Sequence, residues 1–148
     1  MKRDLSQDLQ QIQTHLGNGR FTAGITLCRE VLTYAPSDPN ALYLLGLGAA
    51  QLGDATTTRE AFYAAWQITP ERVDLLINFG NFLRETGEPL KALPLLEKAS
   101  VLSPQMPGVW KALAVTQFKL NRFEAALASA EKLVGLAPHE ATGWELAA

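Results

Sequence analysis

The sequence predicts an all-α fold, a solenoid of antiparallel helix pairs running through residues 1–148 as a single domain. Three observations carry that expectation. Pro36, Pro70, Pro104 and Pro138 recur every 34 residues, and a fixed period in this range marks stacked supersecondary units. Gly19, Gly53, Gly87 and Asn121 recur at the same interval; these residue types accept the left-handed backbone of a tight turn. On either side of that column, apolar residues step by three and four, the spacing of one helix face. No alternating strand pattern is visible.

Each row therefore reads as a helix, a short turn and a second helix ending near the proline. The rows span residues 5–38, 39–72, 73–106 and 107–140, with a partial fifth at 141–148. In the first row, Leu5, Leu9, Ile12 and Leu16 make the first stripe, and Phe21, Ile25, Cys28 and Val31 the second. That first helix suits a terminal cap with a wet outer face. In the second row, Ser37-Asp38-Pro39 supplies a cap and a first-turn proline ahead of Leu42 and Leu45. Asp54 or Thr57 can cap the helix of Phe62, and Thr57 with Glu60 has capping-box spacing. In the third row, Leu76, Phe79 and Gly80 precede a helix holding Leu96, Ala99 and Leu102; Pro94 inside it should remove one backbone hydrogen bond and bend it slightly. In the fourth, Pro107 repeats the arrangement of Pro39 ahead of Trp110 and Leu113, and Leu127, Ala130 and Leu133 follow. Trp144 stands in the fifth row where Trp110 stands in the fourth.

Composition narrows the function. Apolar residues make up 47% and charged residues 19%, so a packed core is expected rather than a disordered tail. Thirteen basic against fifteen acidic residues give a net charge of −2, which argues against a nucleic-acid partner. The longest apolar run, Ala41 to Ala50, is about half of the ~20 residues a membrane-spanning helix needs. The N-terminus has no apolar stretch behind its basic residues, so no secretory signal is read and a cytoplasmic location is expected. The single cysteine, Cys28, falls in a core column and is expected to be inert. His15 and His139 lie far apart along a one-dimensional stack, and no phosphate loop or nucleophile elbow occurs. Carboxylate pairs such as Asp4 with Asp8 or Glu85 with Glu88 read as solvated faces and turns. No catalytic site, metal site or cofactor is expected.

The columns resemble the tetratricopeptide repeat, Trp-x2-Leu-Gly-x2-Tyr, then Ala-x3-Phe, then Pro. The third row reads Leu76-x2-Phe79-Gly80-x2-Leu83, Ala92-x3-Leu96, Pro104. The fourth reads Trp110-x2-Leu113-Ala114-x2-Gln117, Ala126-x3-Ala130, Pro138, and the second Leu42-x2-Leu45-Gly46-x2-Ala49, Thr58-x3-Phe62, Pro70. The resemblance covers about residues 17–144. It implies a right-handed superhelix and a non-catalytic module that holds a peptide segment of another protein on a concave face lined by the first helix of each row. Carried onto this sequence, that face would include Tyr43, Leu44 and Leu47 in the second row, Ile77, Asn78, Asn81 and Arg84 in the third, and Lys111, Val115 and Phe118 in the fourth. The apolar members would supply affinity, the asparagines would bond a peptide backbone, and Arg84 and Lys111 would receive acidic groups.

Two finer resemblances can be tested by position. The carboxylate clamp of the chaperone-tail binders finds only Asn78 in place, so chaperone tails are not expected as ligands. Asn78-Phe79-Gly80-Asn81 resembles one rung of the asparagine ladder that precedes O-linked N-acetylglucosamine transferases, but Leu44 and Ala112 interrupt it. Together with the short fifth row, this leaves an alternative: the repeat arm of a larger bacterial glycosyltransferase or sulfotransferase. Self-association through Trp144 at the C-terminal end, giving a homo-oligomer, is a further expectation.

Overall fold

Helices form where the two apolar stripes of each row lie. The computed structural model describes residues 3–136, and among these it contains helices and turns without strands. They fall into two compact units, one up to Pro70 and one from Glu71 onward. The first unit holds α1 (Leu5–Gly17), α2 (Phe21–Tyr34), α3 (Pro39–Gln51) and α4 (Ala55–Ile68). Helix α1 packs on α2 and α3, α2 on α3, and α3 on α4. The second unit holds α5 (Val73–Glu85), α6 (Pro89–Leu102), α7 (Pro107–Lys119) and α8 (Phe123–Leu136). There α5 packs on α6 and α7, α6 on α7, and α7 on α8.

The helix boundaries have local causes. Asp4 caps α1 by accepting from the Gln7 amide, and Asp38 caps α3 by accepting from the Ala41 amide at 2.8 Å, with Pro39 in the first turn. For α4 the cap is Asp54: one carboxylate oxygen accepts from the Thr57 amide at 3.1 Å and the other from the Thr57 hydroxyl at 2.6 Å. Thr57 lies inside the helix, so the expected box with Glu60 does not form around it. Those two hydrogen bonds hold the Asp54 carboxyl below its ordinary range. Pro107 starts α7 as Pro39 starts α3, but the residue before it is Met106, which has no side chain able to cap. In the same corner the Trp110 indole Nε1 donates to the Pro104 carbonyl at 2.7 Å, which ties α7 to the preceding turn. Each intra-pair turn passes through positive φ, at Gly19, Gly53, Gly87 and Asn121. Helix α6 runs through Pro94 unbroken, with the ring exposed.

Packing within the pairs follows a size exchange between two columns. Gly46 of α3 faces Phe62 of α4, and a Cβ added at Gly46 would lie 2.3 Å from the Phe62 ring. Gly80 of α5 faces Leu96 of α6 in the same way, at 2.7 Å. In the first row the same columns hold Ile12 and Cys28, both in one core cluster. In the fourth they hold Ala114 and Ala130, both fully buried. In the first three rows a large side chain on one helix is thus matched by a small one or none on the other, and the fourth row pairs two small ones. Interiors pack at crystal density, so this exchange sets how closely the two helices approach.

Thr58, where the repeat pattern has alanine, is fully buried and its hydroxyl donates to the Asp54 carbonyl at 2.8 Å, so the extra polar atom is satisfied. Thr116 does the same to the Ala112 carbonyl.

Candidate functional site

The residues expected on the first-helix faces separate into buried and accessible sets. Tyr43 and Leu44 belong to the buried set, which corrects the sequence expectation. Tyr43 is 6% exposed and its ring lies 6.1 Å from that of Phe62, centroid to centroid. The physical reason is the glycine at position 46, which lets the Phe62 ring enter and gives Tyr43 an aromatic partner inside the core. Leu44 joins the core cluster with Ile12, Cys28 and Val31. Leu47 stays half-buried. With Leu16, Gly17, Phe21 and Gln51 it lines an open cleft of about 460 Å³ in the first unit.

In the second unit, Ile77, Asn78, Asn81 and Arg84 of α5 are all half-buried. Positions 77, 81 and 84 follow the three-and-four spacing of one helix face, and 78 lies one turn before 81. The Arg84 guanidinium donates to Asn81 Oδ1 at 2.8 Å, and its second nitrogen lies 3.4 Å from a Glu85 carboxylate oxygen. Its side chain is 14% exposed, so the charge is held close to the protein surface rather than waving in solvent. On α7, which packs against α5, Lys111 is exposed, Val115 half-buried and Phe118 exposed. Trp144, the candidate for self-association, and His139 lie outside the described residues.

Two accessible residues escaped the sequence reading. Phe123 is 55% exposed and meets Phe118 edge-on, with centroids 5.3 Å apart at 70°. Leu127, one turn further along α8, is 43% exposed. Both stand in columns that read as core. Whether such a column is covered depends on the following repeat, which a single row does not reveal.

Several polar groups outside these faces are engaged locally. Asp8 accepts from Arg3 and from the Tyr34 hydroxyl, and that hydrogen bond pushes the Tyr34 phenol above its ordinary range. Glu88 pairs with Lys91 at 2.8 Å. Burial pushes the Cys28 thiol up to about 12, only partly opposed by the positive charge of Arg29. His15, near the end of α1, has a buried Nδ1 without a hydrogen-bond partner. Among the described residues, no group of three or more His, Cys, Asp and Glu is placed to hold a metal ion. No helix among them is long and apolar enough to cross a membrane.

Comparison with known proteins agrees with this geometry. Two tetratricopeptide-repeat family models match the chain, one over residues 9–72 and one over residues 83–148. No curated protein matches it. Among solved structures, MamA 41-end from Desulfovibrio magneticus RS-1 superposes with a TM-score of 0.85 at 22% identity, covering 93% of this chain and 78% of that one. A further MamA crystal structure gives 0.86 at 16% identity, covering 95% and 77%. The pilF structure from Pseudomonas aeruginosa gives 0.85 at 21% identity, covering 93% of this chain and 63% of that one. At such identities these structures speak to the fold alone. The eight helices among the described residues, the turn column and the two family matches converge: the chain belongs to the tetratricopeptide repeat family.

Proposed function

We propose that this chain is a non-catalytic scaffold that binds a peptide segment of a partner protein on the faces of its first helices. The fold is that of a protein-interaction scaffold, and the finer assignment is to Leu47 in the first unit and to Ile77, Asn78, Asn81, Arg84, Lys111, Val115 and Phe118 in the second. One observation carries it: Arg84 is held against Asn81 at 2.8 Å with little exposure, on the same helix face as Ile77. Ordering a long side chain in advance reduces the entropy lost when a ligand binds. An arginine has five donors, more than its contacts with Asn81 and Glu85 consume, and its flat fork suits a carboxylate. Lys111 adds positive charge on α7, and Val115 and Phe118 add apolar surface. The ligand that fits is a peptide with an acidic group beside aliphatic side chains.

The test begins with peptides selected from a random displayed library against the full chain, then measured by fluorescence anisotropy. The double change Asn81→Ala with Arg84→Ala should weaken the selected peptides about tenfold or more, the scale of losing one charge-assisted contact. Thermal unfolding should stay near that of the parent. Equal affinity in a folded double variant would show that the ligand binds elsewhere.

A further inference from the structure

Arg84 is held at two points that differ in kind. One guanidinium nitrogen donates to Asn81 Oδ1 at 2.8 Å, the length of a strong charge-assisted bond. The other lies 3.4 Å from Glu85 Oε1, well beyond that length. The Arg84 side chain is 14% exposed and that of Glu85 69%. Asn81 therefore fixes the guanidinium, while Glu85 only leans on it. Residues adjacent in sequence point about 100° apart round a helix, so Glu85 reaches Arg84 from the side.

The chemistry of the pair is one-sided. Arginine has donors and no acceptor, so the Asn81 amide turns its oxygen to the guanidinium and its Nδ2 away. Arg84 and Asn81 thus present N–H groups to a ligand. The acceptor beside them is the Glu85 carboxylate.

Stability gives little reason for a carboxylate at this place. Glu85 is the last residue of α5, where the partial negative charge of the helix end opposes an acid. The other first helices, α1, α3 and α7, end on Gly17, Gln51 and Lys119. An exposed ion pair contributes about as much as the helix end costs, so the two effects nearly cancel.

We propose that Glu85 is a built-in competitor for the acidic group of the bound peptide, a role that rests on the peptide site proposed above. It holds the Arg84 charge in the free protein and yields it to a better-placed acceptor. When a peptide carboxylate takes the Arg84 nitrogen, Glu85 turns into solvent and one weak pair is lost. A peptide amide behaves differently: its oxygen accepts from Arg84 while its N–H groups donate to Glu85, so nothing has to be displaced. Glu85 thereby lowers the affinity for acidic peptides and narrows the margin by which the site prefers them to amides.

The probes are a fluorescein-labelled peptide from the displayed library with one Asp or Glu, and its twin with Asn or Gln at that position. Both are titrated into the full chain by anisotropy. Glu85→Gln should tighten the acidic peptide about threefold, within the range of an exposed ion pair, and leave the amide twin no tighter. Glu88→Gln removes a charge three residues further along and should leave both affinities unchanged, which separates local competition from the general field. The melting temperature of Glu85→Gln should stay within about 2 °C of the parent, so a changed folded fraction cannot supply the gain. If Asn81→Ala with Arg84→Ala weakens the acidic peptide while Glu85→Gln leaves it unchanged, the competitor role is overturned and the peptide site stands. An equal gain for acid and amide, or an equal gain from Glu88→Gln, would overturn the role as well. A folded double variant that binds like the parent, or an amide twin that binds the parent as tightly as the acid, would overturn the peptide site and the competitor with it.

Discussion

Replacing Gly46 with alanine adds a single methyl group to the middle of α3. In an open helix that change is favourable by roughly 0.8–1 kcal/mol, because glycine loses more backbone entropy. Here the new carbon would lie 2.3 Å and 2.4 Å from two ring atoms of Phe62. Carbon atoms pack best at about 3.5–4.0 Å, so the overlap exceeds an ångström at two atoms. The ring has little room to retreat, since Phe62 is 1% exposed and Tyr43 stands beside it. Overpacking of this kind costs about 1–3 kcal/mol. With an overlap this deep the cost lies in the upper part of that range and outweighs the helix gain, leaving a net loss of about 1–2 kcal/mol. At about 2–4 °C per kcal/mol for a chain of this size, the melting temperature should fall by roughly 2–8 °C, read by circular dichroism at 222 nm. The same change made in a Phe62→Leu background should cost less or stabilise, giving a coupling of the order of 1 kcal/mol. A Gly46→Ala variant that melts at or above the parent would refute the reasoning. So would an equal cost in both backgrounds, since the ring would then not be the obstacle.

Asp38→Ala should lower stability by about 1 kcal/mol in urea titrations, by removing the acceptor for the Ala41 amide. Asp38→Ser should recover most of it. Cys28 should resist a thiol reagent such as Ellman's at pH 8 in the folded chain and react fully once urea unfolds it, because burial holds its pKa at about 12. The folded state then keeps the thiol proton where the unfolded state releases it, so stability should fall as the pH rises from the unfolded value near 9 toward 12. Cys28→Ala should flatten that slope in denaturation curves at pH 8 and pH 10.

The helices were legible because their signals are local. A stripe at three-and-four spacing, an aspartate before a proline and a glycine at a turn each act within a few residues, and α3 starts at Pro39 with Asp38 as its cap as the sequence indicates. Caps were less certain where two candidates stood together: Asp54 and Thr57 both have the chemistry, and only the backbone decides that Asp54 stands outside α4. Burial on the first-helix faces was the least legible. Tyr43 and Leu47 both stand on α3, yet one is buried and the other only half-buried. The difference comes from Phe62 across the pair and from the missing side chain at Gly46, a relation between two columns that neither column shows alone. Phe123 and Leu127 illustrate the reverse error. Their apolar character suggested core, while their exposure depends on a helix from outside their own row.

The exchange of large and small residues between paired helices also bears on how such a chain can be lengthened or recombined. A crossover at the inter-repeat prolines moves a whole helix pair, and Gly46 travels with Phe62 or Gly80 with Leu96. A crossover at the glycine turn splits the pair. Joining α1 to α4 in this way would set Ile12 against Phe62, two bulky side chains where one fits, whereas joining α3 to α6 would set Gly46 against Leu96 and keep the complement. The two kinds of genetic exchange are equally simple for the DNA, but the first always keeps the complement within a pair and the second keeps it only in some combinations. The proline register thus doubles as a set of seams along which duplication can proceed without redesigning the fit inside a helix pair.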